Sequence, residues 1–469
     1  MCLLLRRTAA FTTTTTTRIV RRCATTAPQP TATTDEATYS SAFIKEFVAR
    51  GYLHQCTDLE YLDTQMASDS IAAYLGFDAT ASSLHVGSLL QIMVLRLLQR
   101  TGHKPIVLVG GGTTRVGDPS GKDESRKMLD DATIQANVDG ITSIFSKFLS
   151  FGDGPTDAVL VNNADWLEEL KYVDFLRDFG PHFSVNRMLT FDSVKTRLSR
   201  EQPLSFLEFN YVVLQAYDFL ELGRRHGVTV QLGGSDQWGN IVSGVELGRR
   251  IDGAKLVGLT APLVATADGK KMGKTADGAV WLTADRLPPY DYWQFWRNVA
   301  DADVRRFFKL FTEVPVDEID SIDLGEAPAI NAAKRRLADE TTALLHGSDA
   351  LPPIHAAVDA LFGAAGTQQQ MNAALPKLSL LSSLADGNAV PVADLLVRLQ
   401  FAKSKGEAKR LITQGGARLQ DVKITDVDAT ISTSNFADLD ALKISAGKKR
   451  HALLTLDDDD DDEKPQGGL

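Results

Sequence analysis

Residues 71–102 read IAAYLGFDATASSLHVGSLLQIMVLRLLQRTG. Ile71–Phe77 has the apolar density of a buried strand. From Leu84 to Leu98 the apolar residues fall at helical spacing, and Gly102 ends the run. The same order recurs downstream. Pro105–Val109 runs into Gly110, Gly111 and Gly112, Ala158–Val161 is a third strand, and Val228–Leu232 is a fourth, closed by Gly233 and Gly234. Strand, glycine turn and helix in alternation predict an α/β protein with a Rossmann-like, doubly wound parallel sheet. Such sheets bind ligands at the carboxyl ends of their strands, where these loops lie.

Outside this region the texture changes. Ala261–Thr266 is strand-like, residues 289–384 read as helices with short connections, and Asp386–Asn388 forms a turn before Pro391. Val392–Thr455 carries 11 Lys or Arg against 7 Asp or Glu, a local excess inside a 469-residue chain of net charge −10. That acidic balance excludes a basic nucleic-acid coat but leaves room for a local basic patch. No run approaches the roughly 18 apolar residues of a membrane-spanning helix. The three cysteines, Cys2, Cys23 and Cys56, fit neither a disulfide scaffold nor a metal-ligand spacing. Residues 1–34 hold five arginines, a threonine run and no acid, which reads as an organelle transit peptide. Asp457–Glu463 begins an acidic tail, the composition of a solvated, disordered end.

Two strings carry chemistry. In the first, Gly87 follows His85 at the start of the helix, where free N–H groups favour an anion and a glycine admits a close neighbour. Thr80 and His85 add donors suited to a phosphate. In the second, Lys270-Lys271-Met272-Gly273-Lys274-Thr275, lysines flank a glycine and can follow charge as it moves onto a polyphosphate leaving group. Each string alone is better explained as an incidental helix start or a charged surface loop.

Their conjunction on one frame is more specific. His85-Val86-Gly87-Ser88 and, some way downstream, Lys271–Thr275 resemble the HIGH and KMSKS signatures of class I aminoacyl-tRNA synthetases. Gly110–Gly121, Asn210–Asp218 and Gln231–Asn240 resemble the bacterial-type tyrosyl branch, from about Glu46 to Leu454. The resemblance implies ATP as substrate, Mg²⁺ arriving with the nucleotide, no tightly bound prosthetic group and no protein metal site. It implies tRNA(Tyr) and L-tyrosine as partners, a homodimer and no membrane. It also implies an order of domains: a transit peptide (1–34), a catalytic domain with a helical insertion (35–287), an α-helical anticodon-region domain (288–388), a small α+β S4 RNA-binding domain (389–455) and the tail (456–469). A bacterial-type body behind such a leader points to the mitochondrial matrix, with the plastid as alternative.

The residues themselves suit those roles. Tyr74 and Asp218 are polar groups in apolar surroundings and could accept and donate at a phenolic hydroxyl; a site built to bond an OH rejects phenylalanine. Tyr211 and Gln215, spaced i, i+4, share a helix face. By resemblance, Asp118, Tyr211, Gln215 and Gln237 surround the amino-acid backbone. Gly76, Asp78, Gly87, Ser88, Gly234 and Asp236 surround the nucleotide. Thr80, His85, Lys271 and Lys274 act on its phosphates, and Lys122 and Arg126 reach the phosphates or the carboxylate in the activated state. Ser88 stands where the signature has a second histidine, and Leu75 where many relatives have cysteine. In the C-terminal segment Lys403, Lys405, Lys409, Arg410 and Arg418 are the expected RNA-phosphate contacts. The competing functions are a tryptophanyl-tRNA synthetase, which lacks an S4 module and the Tyr74/Asp218 pair, and an RNA-binding or splicing factor descended from a synthetase.

Overall fold

The computed structural model describes residues 39–120, 129–269, 271–275, 278–362, 375, 377–384, 388–437, 439–447 and 450–456. The compact unit Tyr39–Leu469 is built on a six-stranded sheet. Its strands are β1 (Gln55–Cys56), β2 (Ala72–Phe77), β3 (Lys104–Val109), β4 (Val159–Asn162), β5 (Val228–Gly234) and β6 (Val257–Ala261), in the order β1-β6-β5-β2-β3-β4. The five from β2 to β6 are parallel. Chain order reverses between β5 and β2, the switch point at which doubly wound sheets open a crevice. The central strands are apolar almost throughout because helices cover both faces.

Two details differ from the sequence reading. β6 ends at Ala261, where the strand-like run was expected to begin, so Pro262–Thr266 leads away from the sheet. β1 is an antiparallel edge strand on β6, too short at two residues to leave an alternating pattern.

Helix Val86–Arg100 buries nine apolar side chains against the sheet. Helix Phe206–His226 starts with a reciprocal cap between Ser205 and Glu208 and carries Tyr211, Gln215 and Asp218. Beyond the sheet come helices Pro289–Arg297, Val304–Phe311, Ala327–His346 and Leu351–Phe362. The C-terminal part is α+β: helices Val392–Arg398 and Lys405–Thr413 pack on a sheet that includes Ala417–Leu419, Ala441–Ala446 and Arg450–Thr455. Lys377–Ser379 joins that sheet as a parallel strand, so the module draws in residues upstream of the Asp386–Asn388 turn.

Candidate active site

A cleft of about 390 Å³ opens at the carboxyl ends of β2 and β5. Tyr74, Gly76, Asp78, Thr80, His85, Gly87, Ser88, Asp118, Tyr211, Gln215, Asp218, Gly234, Asp236 and Gln237 all line it. Residues 163 positions apart in sequence converge because β2, β5 and helix Phe206–His226 meet at the switch point.

At the closed end, Tyr74 on β2 is 1% exposed and its hydroxyl has no partner within the protein. Asp218, also 1% exposed, accepts from Asn163 Nδ2 at 3.0 Å and from Trp166 Nε1 at 2.8 Å. Burial pushes the Asp218 carboxyl up to about 7, although those two hydrogen bonds oppose the shift. Burial, then the neighbouring Asp218, hold the Tyr74 hydroxyl in its neutral form. A donor without a partner beside a carboxylate suits one ligand hydroxyl that both donates and accepts.

The middle of the cleft is a polar lattice. Tyr211 donates to Asp78 Oδ2 at 3.0 Å and Thr113 to Asp78 Oδ1 at 2.8 Å. Gln237 Nε2 donates to Asp118 Oδ2 at 2.9 Å, and Asn240 Nδ2 bridges Gln215 Oε1 and Gln237 Oε1 at 2.8 and 3.1 Å. Two carboxylates, Asp78 and Asp118, thus flank Tyr211, whose phenol is held neutral by burial and by their charge. Asp78, expected near the ribose, lines the cleft and is bonded to Tyr211, one of the residues expected around the amino-acid backbone. Asp236 is pushed up by burial and by Asp118, with Lys271 pulling the other way.

At the open end the two signature strings touch. His85 Nδ1 accepts from Gly87 N–H at 3.0 Å, which leaves Nε2 as the donor of the neutral ring. Val86 N–H donates to Val280 and Leu282 N–H to Leu84, both at 2.9 Å, so the segment after the lysine loop is zipped to the histidine. A Cβ on Gly87 would lie 2.6 Å from the His85 ring and 3.0 Å from the Met272 carbonyl. Gly273, at φ +85°, presses on Gly87 N so closely that a Cβ there would stand 2.6 Å away. Lys271 is exposed on this loop, and the backbone of Lys274 pairs with Ala279. Lys122 and Arg126 lie outside the described residues, as does the Lys274 side chain.

Sequence reasoning missed Asn163, Trp166, Asn240 and Trp281. The first two follow β4 directly, at the end of a parallel strand where site residues gather, and that position was the available signal. Trp281 lines the cleft beside His85 with the Arg286 guanidinium 3.6 Å from its ring centroid.

A family described as tRNA synthetases class I (W and Y) matches residues 66–363, and a tyrosine–tRNA ligase SYY-like C-terminal domain matches residues 370–454. The tyrosine–tRNA ligase of Rhodospirillum rubrum is 57% identical over 415 residues, 88% of this chain and 98% of that protein. The chain belongs to the class I tyrosine–tRNA ligase family. The Zymomonas mobilis ligase is 56% identical over 418 residues, 89% of this chain and 98% of that protein. Among solved structures, this family member resembles a C-terminally truncated Aspergillus nidulans mitochondrial tyrosyl-tRNA synthetase, with TM-score 0.59 and 30% identity over 66% of this chain and 90% of that one.

These comparisons correct the expected address. Ligases at 52–57% identity are bacterial, so the bacterial character of the body needs no organelle to account for it. The mitochondrial and plastid readings are therefore withdrawn. Residues 1–38 and 457–469, on which the leader and tail readings fall, lie outside the described residues.

Proposed function

We infer that the chain is a tyrosine–tRNA ligase that activates L-tyrosine with ATP and passes the tyrosyl group to the 3′ end of tRNA(Tyr). The observation that carries the choice of tyrosine is the buried Tyr74 hydroxyl without a partner, in a cleft that Asp218 also lines. The phenolic hydroxyl of the substrate donates to Asp218 and accepts from Tyr74. Asn163 and Trp166 keep Asp218 oriented for that bond. Phenylalanine would leave the Tyr74 hydroxyl buried without a partner, a cost of roughly 1–3 kcal/mol, and would give Asp218 no ligand hydroxyl.

The substrate α-ammonium fits among Asp118, Tyr211, Gln215 and Gln237, with Asp78 adding a second carboxylate through Tyr211. Asp236 and the glycines Gly76 and Gly234 suit the ribose and adenine. The tyrosine carboxylate attacks the α-phosphorus in line and pyrophosphate leaves. Thr80, His85, Lys271, Lys274, Lys122 and Arg126 hold the charge that develops there. Mg²⁺ suits the nucleotide's phosphate oxygens and supplies charge neutralisation at them. Among the described residues there is no cluster of three His, Cys, Asp or Glu side chains that could hold a metal.

The C-terminal module is read as an S4-type RNA-binding surface. Lys405 and Lys409 lie one turn apart on helix Lys405–Thr413, ion-paired with Asp394 and Asp428, and Arg410 and Arg418 are exposed. A homodimer is supported by the insertion between β4 and the long helix, where Tyr172, Val173, Val185 and Leu198 are exposed apolar residues, as is Phe206 at the start of that helix. Among the described residues no helix is long and apolar enough to cross a membrane.

The test is amino-acid-dependent exchange of pyrophosphate into ATP, followed by charging of tRNA(Tyr). Tyrosine should support exchange, and phenylalanine and tryptophan should not. Exchange with tryptophan would favour the sister specificity, and its absence with every amino acid would favour a protein that only binds RNA.

A further inference from the structure

The loop bearing Lys271 and Lys274 is tied down from outside the cleft. Residues 264–269 pair back with Lys271 and Met272: Met272 N–H donates to the Val264 carbonyl at 2.9 Å, Ala265 pairs with Lys271, and Gly269 N–H closes a turn on Thr266 at 2.8 Å. One end of this segment runs to His85. The other meets the helical region at Asp303. That residue is 2% exposed, and its Oδ2 accepts from Ala267 N–H at 2.8 Å. Its Oδ1 pairs with Arg306 at 2.6 Å, and Arg306 also donates to the Ala265 carbonyl.

Asp303 ends the 3-10 turn Asp301–Asp303, which leads directly into helix Val304–Phe311, and has helical dihedrals of its own (φ −90°, ψ −17°). Here its side chain makes no cap bond. The carboxylate is turned to Ala267 instead. The helix behind it is a firm anchor. Val304, Phe307, Phe308, Leu310 and Phe311 are buried, and Arg50 donates to the carbonyls of Lys309, Thr312 and Val314 at 2.8 to 3.0 Å.

We propose that Asp303, braced by Arg306, is a positioning residue that sets where the Lys271–Thr275 loop sits over the cleft and so joins the helical region to the activation step. This rests on the reading of Lys271 and Lys274 as groups that hold the leaving pyrophosphate. Contacts that stabilise a developing charge depend on placement, and a shift of about 1 Å can cost on the order of a hundredfold in rate. The tyrosine end of the cleft lies on other elements and is not touched by the clamp. Loosening the clamp therefore lowers kcat and leaves the tyrosine KM in place.

The experiment compares Asp303→Ala, Asp303→Asn and Arg306→Gln in the full chain. It measures pyrophosphate exchange, tryptic cleavage within Lys271–Lys274 and the melting temperature. Asp303→Ala should lose at least about tenfold in kcat, keep the tyrosine KM within about twofold and be cut faster in the loop. Asp303→Asn keeps an acceptor for Ala267 N–H and should recover most of the rate. Arg306→Gln removes a half-exposed partner, tests the same clamp should Asp303→Ala not fold, and should show a smaller change of the same kind. Faster cleavage at unchanged kcat, or equal losses in kcat and tyrosine affinity, would overturn the proposal. A Lys271→Ala control of parental rate would instead remove the role assigned to the lysine loop, while the cleavage data would still report the clamp.

Discussion

Asp218 combines two demands that pull its chemistry apart. Burial raises its folded pKa to about 7, above the 3.8 of the unfolded chain. The folded protein therefore holds more protons between those values, and this carboxyl destabilises the fold increasingly as pH rises from about 4 to about 7. At ~1.36 kcal/mol per pKa unit the cost at neutral pH is on the order of 4 kcal/mol. Asp218→Asn should therefore melt higher, relative to the parent, at pH 8 than at pH 5. The same change should cut tyrosine activation and narrow the preference for tyrosine over phenylalanine by roughly 1–3 kcal/mol. A calorimetric pH series and parallel exchange assays with both amino acids decide these points; unchanged selectivity would place recognition of the hydroxyl elsewhere. Lys271→Ala should slow adenylate formation much more than it weakens tyrosine binding, since its contact matters when pyrophosphate charge appears. Stopped-flow rates set against equilibrium tyrosine binding measure the difference.

Elements meet here by contact of backbone, which makes small residues decisive. Helix Val86–Arg100 and the lysine loop touch through Gly87 and Gly273. Gly87→Ala should force the His85 ring or the loop aside, because the nearest atoms, at 2.6 and 3.0 Å, are a ring that caps the helix and a backbone carbonyl. Activation should fall by about tenfold or more, with a helical circular-dichroism signal close to the parent's. Full activity in that variant would mean that the two signature segments do not need their observed closeness. The strand–turn–helix character of residues 71–102, the glycine turns and the alternation that implies parallel strands were legible because each leaves a local pattern. β1 was not, since two residues cannot show alternation and its partner β6 lies about 200 positions away.

At the scale of the molecule, the C-terminal module carries the local excess of positive charge. Deleting residues 370–469 should leave tyrosine-dependent exchange within a few-fold of the parent and weaken tRNA charging, most visibly as salt is raised. Filter binding of tRNA(Tyr) across a salt series reads this directly. Lys377–Ser379 belongs to that module's sheet, so a cut at residue 388 would strand one of its strands, and residue 370 is the sounder boundary. Charging that is normal at physiological salt would deprive the basic face of its part.

The sequence alone determined the α/β frame and the two signature strings, and it named residues that line the cleft. Each is a local feature: an apolar period, a glycine at a turn, a short run of polar groups after a strand. It also suggested an organelle address, which the relatedness to bacterial ligases overturned. Only the tertiary structure decided which polar groups pair. Asn163 and Trp166 fix Asp218, Tyr211 donates to Asp78, and Asp303 accepts from Ala267 N–H. Such pairings join residues 36 to 133 positions apart. They arise when the chain closes and buried polar groups must each find a partner, and no local pattern in the sequence records which partner that is.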